Sequence, residues 1–171
     1  MAMVTVDGGG GYWHPHPGDD PMGMVLHELV PMLAAKGLGA GPRGLAVMGI
    51  SMGGYGAVAF AEQYRGRFAA VAAISPAIFE SYAWVHYVNP GAYWSAADFA
   101  RYDAITHTAA LAGTPVRIAS GDHDPFHPWV EDLVARLPAG AAVTFPPGGH
   151  TGEFFASQMG PSLAFLGEHL R

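Results

Sequence analysis

The sequence contains no cysteine, and this absence excludes several kinds of site at once. Disulfides, thiolate metal centres and a cysteine nucleophile are all ruled out. Basic residues are also scarce, with eight against fourteen acidic ones, which gives a formal net charge of −6. Because nucleic-acid binding needs a basic surface, this balance predicts no nucleic-acid partner. We expect a small, uncharged organic ligand instead.

Long apolar runs are missing as well. No run approaches the roughly 20 residues of a membrane span, so we predict no membrane partner. The N-terminus shows no charged stretch followed by an apolar signal core, which favours the cytoplasm, although the residues do not define a compartment. Half of the 171 residues are apolar and only 13% are charged. This composition predicts a single globular domain over residues 1–171.

Five short apolar runs, each followed by turn residues and a helix-like stretch, predict an α/β fold with a mostly parallel sheet. The predicted strands are Met3–Val6, Gly44–Ile50, Phe68–Ile74, Val116–Ser120 and Ala142–Phe145. The predicted helices are about Met24–Leu33 with Gly37 as its stop, Met52–Tyr64, Pro128–Leu137, and Phe154–Leu170 bent or interrupted at Pro161.

The connection from Ser75 to Thr114 is rich in aromatic residues and has no single periodicity. A connection this long in a compact domain is usually functional. We predict a short-helix insertion over about residues 76–114, above the C-terminal edge of the sheet, where open α/β sheets bind ligands. The alternative is that these aromatic side chains only form a satellite core.

Residues 49–53 read G-I-S-M-G, between a predicted buried strand and a helix that starts with small residues. In a G-x-S-x-G turn the glycines allow neighbouring backbone to pass close to a serine in a strained conformation. Ser51 is therefore the predicted nucleophile, and the Met52 amide at the helix N-terminus is predicted to bind the oxyanion. A phosphate-binding loop is disfavoured because its spacing and its lysine are absent.

The nucleophile needs a base to accept its proton and an acid to orient that base. In folds with this type of turn the three follow in the chain order serine, acid, histidine, and the sequence has this order. Residues 120–126 (S-G-D-H-D-P-F) come after the fourth predicted strand, and residues 147–152 (P-G-G-H-T-G) after the fifth. Among nine histidines, His150 is favoured as the base because it follows the last strand. Asp124 is favoured as the acid because a proline follows it, and Asp122 remains the alternative.

With these motifs the sequence resembles the esterase branch of the α/β-hydrolases that includes esterase D (S-formylglutathione hydrolase), enterochelin esterases and bacterial mycolyltransferases. The similar stretches are residues 49–57 (G-I-S-M-G-G-Y-G-A), 75–77 (S-P-A), 121–126 and 149–151 (G-H-T). The resemblance runs from about residue 4 to the C-terminus. It implies a minimal α/β-hydrolase with Ser51 as nucleophile, Asp124 as acid and His150 as base.

The sequence departs from this family at its front. Family members normally place several strands, and a glycine loop that donates the second oxyanion N–H, before the segment that residues 3–12 resemble. Either the sequence is a fragment, or it is a minimal hydrolase in which Met3–Val6 lies beside the nucleophile strand, where Gly9 and Gly10 would supply that donor. The sheet edge left open is expected to pair with a second chain, which predicts a homodimer.

The predicted reaction is hydrolysis of a short-chain carboxylic ester, without a cofactor or a metal. Trp13, Trp84 and Trp94 are expected to line an apolar substrate pocket. An acyltransferase would use the same triad, and an inactive relative would only bind a ligand or partner. A metal-dependent protein is a further alternative, suggested by histidines and aspartates at 14–20 and 123–127, although no zinc-site spacing is present.

Overall fold

A parallel sheet forms the centre of the protein. The structure, a computed structural model, describes residues 1–39 and 44–170. Within them the strands are β1 (Val47–Ile50), β2 (Val71–Ile74), β3 (Val116–Ala119) and β4 (Ala142–Thr144). They lie in sequence order, and each is hydrogen-bonded in parallel to the next. The helices between them provide the long crossovers that parallel strands need, and the predicted α/β class is confirmed.

The first helical segment contains a wide turn. It consists of α1 (Pro21–Gly23), a π-helical stretch (Met24–Leu29) and α2 (Val30–Ala35). The wide turn leads into Pro31, whose ring would clash with the carbonyl four residues earlier in a regular α-helix. Gly37, with φ 73°, follows the last turn and donates its amide to the Ala34 carbonyl at 2.9 Å. The predicted stop at Gly37 is therefore confirmed.

The remaining helices match the sequence pattern closely. They are α3 (Met52–Gln63), α4 (Tyr82–Val88), α5 (Ala96–Tyr102), a 3₁₀ turn (Thr108–Leu111), α6 (His127–Arg136) and α7 (Gly152–His169). The helix α7 continues through Pro161 without interruption. The elements α4, α5 and the 3₁₀ turn form the predicted short-helix insertion. No helix among the described residues is long and apolar enough to cross a membrane.

The interior strand β2 contributes side chains to both faces of the sheet. Val71 and Ala73 belong to the main apolar cluster, which also includes α3 and the insertion. Ala72 points into a smaller cluster with Leu166 of α7. This alternation is the two-residue period of a strand, and burial on both faces explains why β2 carries no polar residue.

Met3–Val6 is not a strand, so this prediction was wrong. The segment makes no ladder hydrogen bonds, and Met3 remains 62% exposed. It lines an apolar cavity of about 620 Å³ together with β1, but it does not pair with that strand. The expected pairing with the nucleophile strand was therefore also wrong. Valine and threonine favour a strand only where the backbone finds a partner for its hydrogen bonds.

Candidate active site

Ser51 occupies a sharp turn between β1 and α3. Its φ of 55° and ψ of −121° are unusual for a residue with a side chain, and such a conformation costs on the order of 1–3 kcal/mol. Two of its backbone hydrogen bonds link it to β2 and to the residues after that strand. The Ser51 amide donates to the Ile74 carbonyl at 2.9 Å, and the Ala77 amide donates to the Ser51 carbonyl at 3.0 Å. The end of β2 and the residues after it thus fix the strained turn.

The glycines around Ser51 have unequal importance. A Cβ on Gly49 would lie 1.9 Å from the Gly53 carbonyl oxygen, so this position cannot accept a side chain without movement of the backbone. A Cβ on Gly54 would lie 3.1 Å from Pro76 Cα. A Cβ on Gly53 would meet no described atom within 4 Å. Close packing therefore requires Gly49 and favours Gly54, whereas Gly53 is not required by its contacts with the described residues.

Three predicted site residues meet at the C-terminal edge of the sheet. Ser51 Oγ lies 2.8 Å from His150 Nε2, and His150 Nδ1 lies 2.8 Å from Asp124 Oδ2. Ser51 follows β1, Asp124 follows β3 and His150 follows β4. The carboxyl ends of parallel strands share one edge, which is why residues far apart in the chain converge here. The arrangement has the connectivity of a nucleophile, base and orienting acid.

Several hydrogen bonds within the turn that precedes α6 fix the position of Asp124. Its side chain is fully buried, and its second oxygen, Oδ1, accepts the Phe126 amide at 2.9 Å. Its own amide donates to the Gly121 carbonyl at 3.1 Å, and its carbonyl accepts the His127 amide at 2.9 Å. A buried carboxylate needs such partners, because unpaired charge in the interior is costly. The orientation of Asp124 toward His150 is therefore fixed by local structure.

Asp122, the alternative acid, makes different contacts. Its Oδ1 accepts the Gly148 amide at 3.0 Å and His123 Nδ1–H at 2.6 Å. These two hydrogen bonds, the first being the larger cause, hold the pKa of Asp122 below its usual value. The geometry separates the two aspartates, because within the described residues it is Asp124 whose carboxylate contacts His150.

Two phenylalanines that the sequence analysis did not select contact the His150 ring. Phe126 and Phe155 approach it edge to face, with ring centroids 5.1 and 4.9 Å away. Phe126 ends the loop that carries Asp124, and Phe155 lies in the first turn of α7. Their proximity to the two polar motifs was the available signal. They give the imidazole an apolar wall on two sides.

Of the predicted oxyanion donors, Met52 has a suitable position, whereas the contacts of Gly9 and Gly10 do not connect them to the site. Met52 is the first residue of α3, so its amide has no acceptor within the helix and lies at the positive end of the helix dipole. The Gly9 amide donates to Asp7 Oδ1 at 2.9 Å, and the Gly10 carbonyl accepts Asn89 Nδ2–H at 3.1 Å. Neither contact involves Ser51. The donor role of Gly9 and Gly10 stays a prediction.

The three selected tryptophans lie in different surroundings. Trp13 packs on α3, where a Cβ on Gly56 would lie 2.5 Å from its Cδ1. Trp84 is 41% exposed and stacks on Tyr87, and Trp94 is 63% exposed. None of these contacts involves Ser51, Asp124 or His150. A substrate-binding role for the tryptophans stays a prediction.

The histidine-rich segment near the N-terminus has a packing role. His14 is fully buried, and its Nε2 lies 2.5 Å from the Ala92 carbonyl oxygen. Its ring stacks between those of neighbouring aromatic residues, including Tyr93 and Tyr102 at 4.5 and 4.7 Å. Among the residues that the structure describes, no group of three or more histidines and carboxylates is arranged to hold a metal ion. The geometry therefore offers no support for the metal-dependent alternative.

Comparison with known families matches residues 23–145 to the family described as "Putative esterase". The chain belongs to this esterase family. The match covers the Ser51 turn and the Asp124 loop and ends before His150. It agrees with the resemblance seen in the sequence. Comparison with curated protein sequences gives no match.

Several solved structures share the fold of this chain. A ferulic acid esterase superposes with a TM-score of 0.75 at 19% identity, over 93% of this chain and 65% of its own. S-formylglutathione hydrolase from Agrobacterium tumefaciens superposes with a TM-score of 0.69 at 25% identity, over 89% of this chain and 58% of its own. MPT51 from Mycobacterium tuberculosis superposes with a TM-score of 0.72 at 21% identity, over 93% of this chain and 72% of its own. The fold is that of the α/β-hydrolases, and the chain spans less than two thirds of the first two proteins.

Proposed function

We propose that the protein is a serine esterase that hydrolyses short-chain carboxylic esters through an acyl-enzyme on Ser51. The observation that carries this proposal is the pair of 2.8 Å hydrogen-bond distances that link Ser51, His150 and Asp124. The pair lies beside a strained G-x-S-x-G turn in a chain of an esterase family. A serine hydroxyl is a weak nucleophile unless a base within hydrogen-bond reach accepts its proton.

The first half of the reaction forms the acyl-enzyme. His150 Nε2 accepts the proton of Ser51 as Oγ attacks the ester carbonyl carbon. Asp124 holds the Nδ1–H, which fixes the tautomer and stabilises the imidazolium that forms. The Met52 amide donates to the oxyanion of the tetrahedral intermediate. His150 then gives the proton to the leaving alkoxide, and the alcohol departs.

The second half hydrolyses the acyl-enzyme. His150 accepts a proton from a water molecule, whose oxygen attacks the acyl carbon on Ser51. Collapse of the second tetrahedral intermediate breaks the bond to Oγ, and His150 returns the proton to that oxygen. The carboxylic acid leaves and the enzyme is regenerated. No cofactor takes part, and the apolar wall formed by Phe126 and Phe155 suits an uncharged acyl group.

The test is a panel of nitrophenyl esters with acyl chains from acetyl to octanoyl. Ser51→Ala and His150→Ala should each lower kcat by roughly 10³-fold or more, because triad members act as a unit. Asp124→Asn should also lower kcat, since it leaves His150 without its charged partner. Asp132→Asn is the matched control, because Asp132 is exposed on α6 and makes no side-chain hydrogen bond to another described residue.

Each panel outcome bears on the proposal. Activity that declines with chain length supports the short-chain preference. A Ser51→Ala variant with full activity would overturn the mechanism, as would an Asp124→Asn variant that behaves like Asp132→Asn.

A further inference from the structure

Besides the contact between His150 and Asp124, three hydrogen bonds join the loops that carry the acid and the base. Two are between backbone groups, from the Asp122 amide to the Pro146 carbonyl at 3.2 Å and from the His123 amide to the Gly148 carbonyl at 2.9 Å. The third involves a side chain, because the Gly148 amide donates to Asp122 Oδ1 at 3.0 Å. Asp122 therefore contributes both its backbone and its carboxylate to this junction.

Each of the two loops has a glycine at this junction that could not accept a side chain without movement of its neighbours. A Cβ on Gly121 would lie 2.1 Å from the Gly148 carbonyl oxygen. Gly148 itself has φ 154°, and a Cβ there would lie 2.5 Å from the Phe154 ring. A glycine in this position has wide backbone freedom, which the surrounding structure must restrict. The Asp122 carboxylate binds the amide of this glycine.

Two residues of this junction lie two positions before His150 and Asp124 in the chain. Gly148 precedes His150 by two residues in the chain, and Asp122 precedes Asp124 by the same number. A shift of the backbone at Gly148 would move the His150 ring relative to both Ser51 and Asp124. Displacements of about 1 Å in an active site can lower the rate on the order of 10²-fold.

We propose that Asp122 is a positioning residue, whose carboxylate holds the Gly148 amide so that His150 stays within hydrogen-bond reach of Ser51. This role rests on the proposed esterase function for its kinetic consequence. It is distinct from the role of Asp124, because Asp122 acts on the backbone of the loop and not on the imidazole. Hydrogen bonds from Gly148 and His123 keep its pKa low, so the acceptor remains charged at neutral pH.

The partly exposed position of Asp122 makes this role measurable. Its side chain is 39% exposed, so its removal should change the free energy of unfolding little while it frees the Gly148 amide. The predicted signature is therefore a loss of turnover in a protein that remains folded.

The experiment compares Asp122→Ala, Asp122→Asn and Asp132→Ala with the wild type. Asp122→Ala should lower kcat for nitrophenyl acetate by roughly 10- to 100-fold with a smaller change in KM, because the chemical step is affected. Asp122→Asn retains an oxygen that can accept the Gly148 amide and should rescue kcat to within about threefold. Asp132→Ala should behave as wild type. If Asp122→Ala does not fold, Asp122→Ser replaces it. The serine side chain is one atom shorter than that of aspartate, so its oxygen does not reach the Gly148 amide.

A proton NMR measurement reports the same positioning without turnover. The Nδ1–H of His150 bonded to Asp124 should give a low-field signal in the wild type, absent in His150→Ala. It should be retained in Asp122→Asn and broadened or lost in Asp122→Ala. If the wild type hydrolyses no ester but the signal follows this pattern, the esterase function fails and the positioning role stands. Wild-type kcat and an unchanged signal in Asp122→Ala would overturn the role, and so would equal losses in Asp122→Asn and Asp122→Ala.

Discussion

A buried acid lies on the same helix that begins at the nucleophile. Glu62 of α3 is only 6% exposed, and its Oε1 has no hydrogen-bond partner among the described residues. Burial, and secondarily the charge of Asp103, raises the pKa of Glu62 from 4.5 to about 9. The folded protein therefore keeps this proton over a pH range in which the unfolded chain has released it.

The raised pKa of Glu62 predicts a stability that falls with increasing pH. Its contribution is fully present below about pH 4.5, declines from there to about 9, and then stays constant. Glu62→Gln should raise the free energy of unfolding at pH 7 by on the order of 3 kcal/mol, and little at pH 4.5. Urea unfolding at both values measures this, with exposed Glu168→Gln as the control. An equal gain at both pH values would contradict the account.

The two glycines of the G-x-S-x-G turn should respond differently to alanine. Gly49→Ala places its Cβ 1.9 Å from the Gly53 carbonyl oxygen, so we expect a large loss of stability and of activity. Gly53→Ala meets no described atom within 4 Å, and alanine is favoured over glycine in a helix by about 1 kcal/mol. Thermal unfolding of both variants tests the difference. A Gly53→Ala variant as unstable as Gly49→Ala would contradict it.

At the residue scale, the sequence predicted the members of the site better than their contacts. Chain order and position after a strand were sufficient to select Ser51 and His150 and to restrict the acid to Asp122 or Asp124, and the structure brings Ser51, His150 and Asp124 together. The same pattern could not separate Asp122 from Asp124, because both follow β3 within a few residues. Their difference depends on how the turn before α6 directs each side chain, and this is a property of the folded loops.

At the scale of elements, the start of α7 is coupled to the base. Thr151 directly follows His150 and caps this helix, since its Oγ1 accepts the Phe154 amide at 3.3 Å. Phe155 in the same turn contacts the His150 ring. The cap thus contributes to the position of the base as well as to the helix.

Loss of this cap should affect both stability and turnover. Thr151→Ala should lower the free energy of unfolding by about 1 kcal/mol and also lower kcat. Ser95→Ala removes an equivalent cap from α5, where Ser95 Oγ accepts the Asp98 amide at 3.1 Å, and should cost similar stability with unchanged kcat. Denaturant titration and ester hydrolysis measure the two effects. Equal kcat for the two variants would contradict the coupling.

Elements with a clear local pattern were predicted well, and those that depend on a partner were not. The helices α3, α6 and α7 follow from apolar spacing between glycine and proline signals, and their observed ends lie within two residues of those expected. Met3–Val6 has the composition of a strand but lacks a neighbour to bond. The contacts of Phe126 and Phe155 with His150 arise from tertiary packing, which no local pattern contains.

At the scale of the whole molecule, β1 forms one edge of the sheet in the described residues, and β4 forms the other. The strand β1 pairs only with β2 there. Among the described residues, the cavity along β1 and Met1–Val6 is lined by apolar and glycine residues together with Thr5, and by no charged side chain, in a chain of net charge −6. In a two-fold pairing each residue faces its own counterpart, so an uncharged edge is suited to a second copy of the chain.

We therefore expect the protein to form a homodimer through this edge. Sedimentation should give the mass of two chains, and Val4→Lys should shift it toward one by placing like charges across the two-fold axis. Met32→Lys is the control, because Met32 is exposed on α2 and does not line the cavity. A monomeric wild type, or a dimer that survives Val4→Lys, would contradict the edge interface.

The most direct test of the central claim is to trap the acyl group during turnover. The wild type is mixed with nitrophenyl acetate, quenched in acid within the first turnovers, digested and analysed by mass spectrometry. We expect one acetyl group on the peptide that contains Ser51, and none on this peptide in Ser51→Ala. Hydrolysis that proceeds with the acetyl group on another residue, or on none, would contradict Ser51 as the nucleophile.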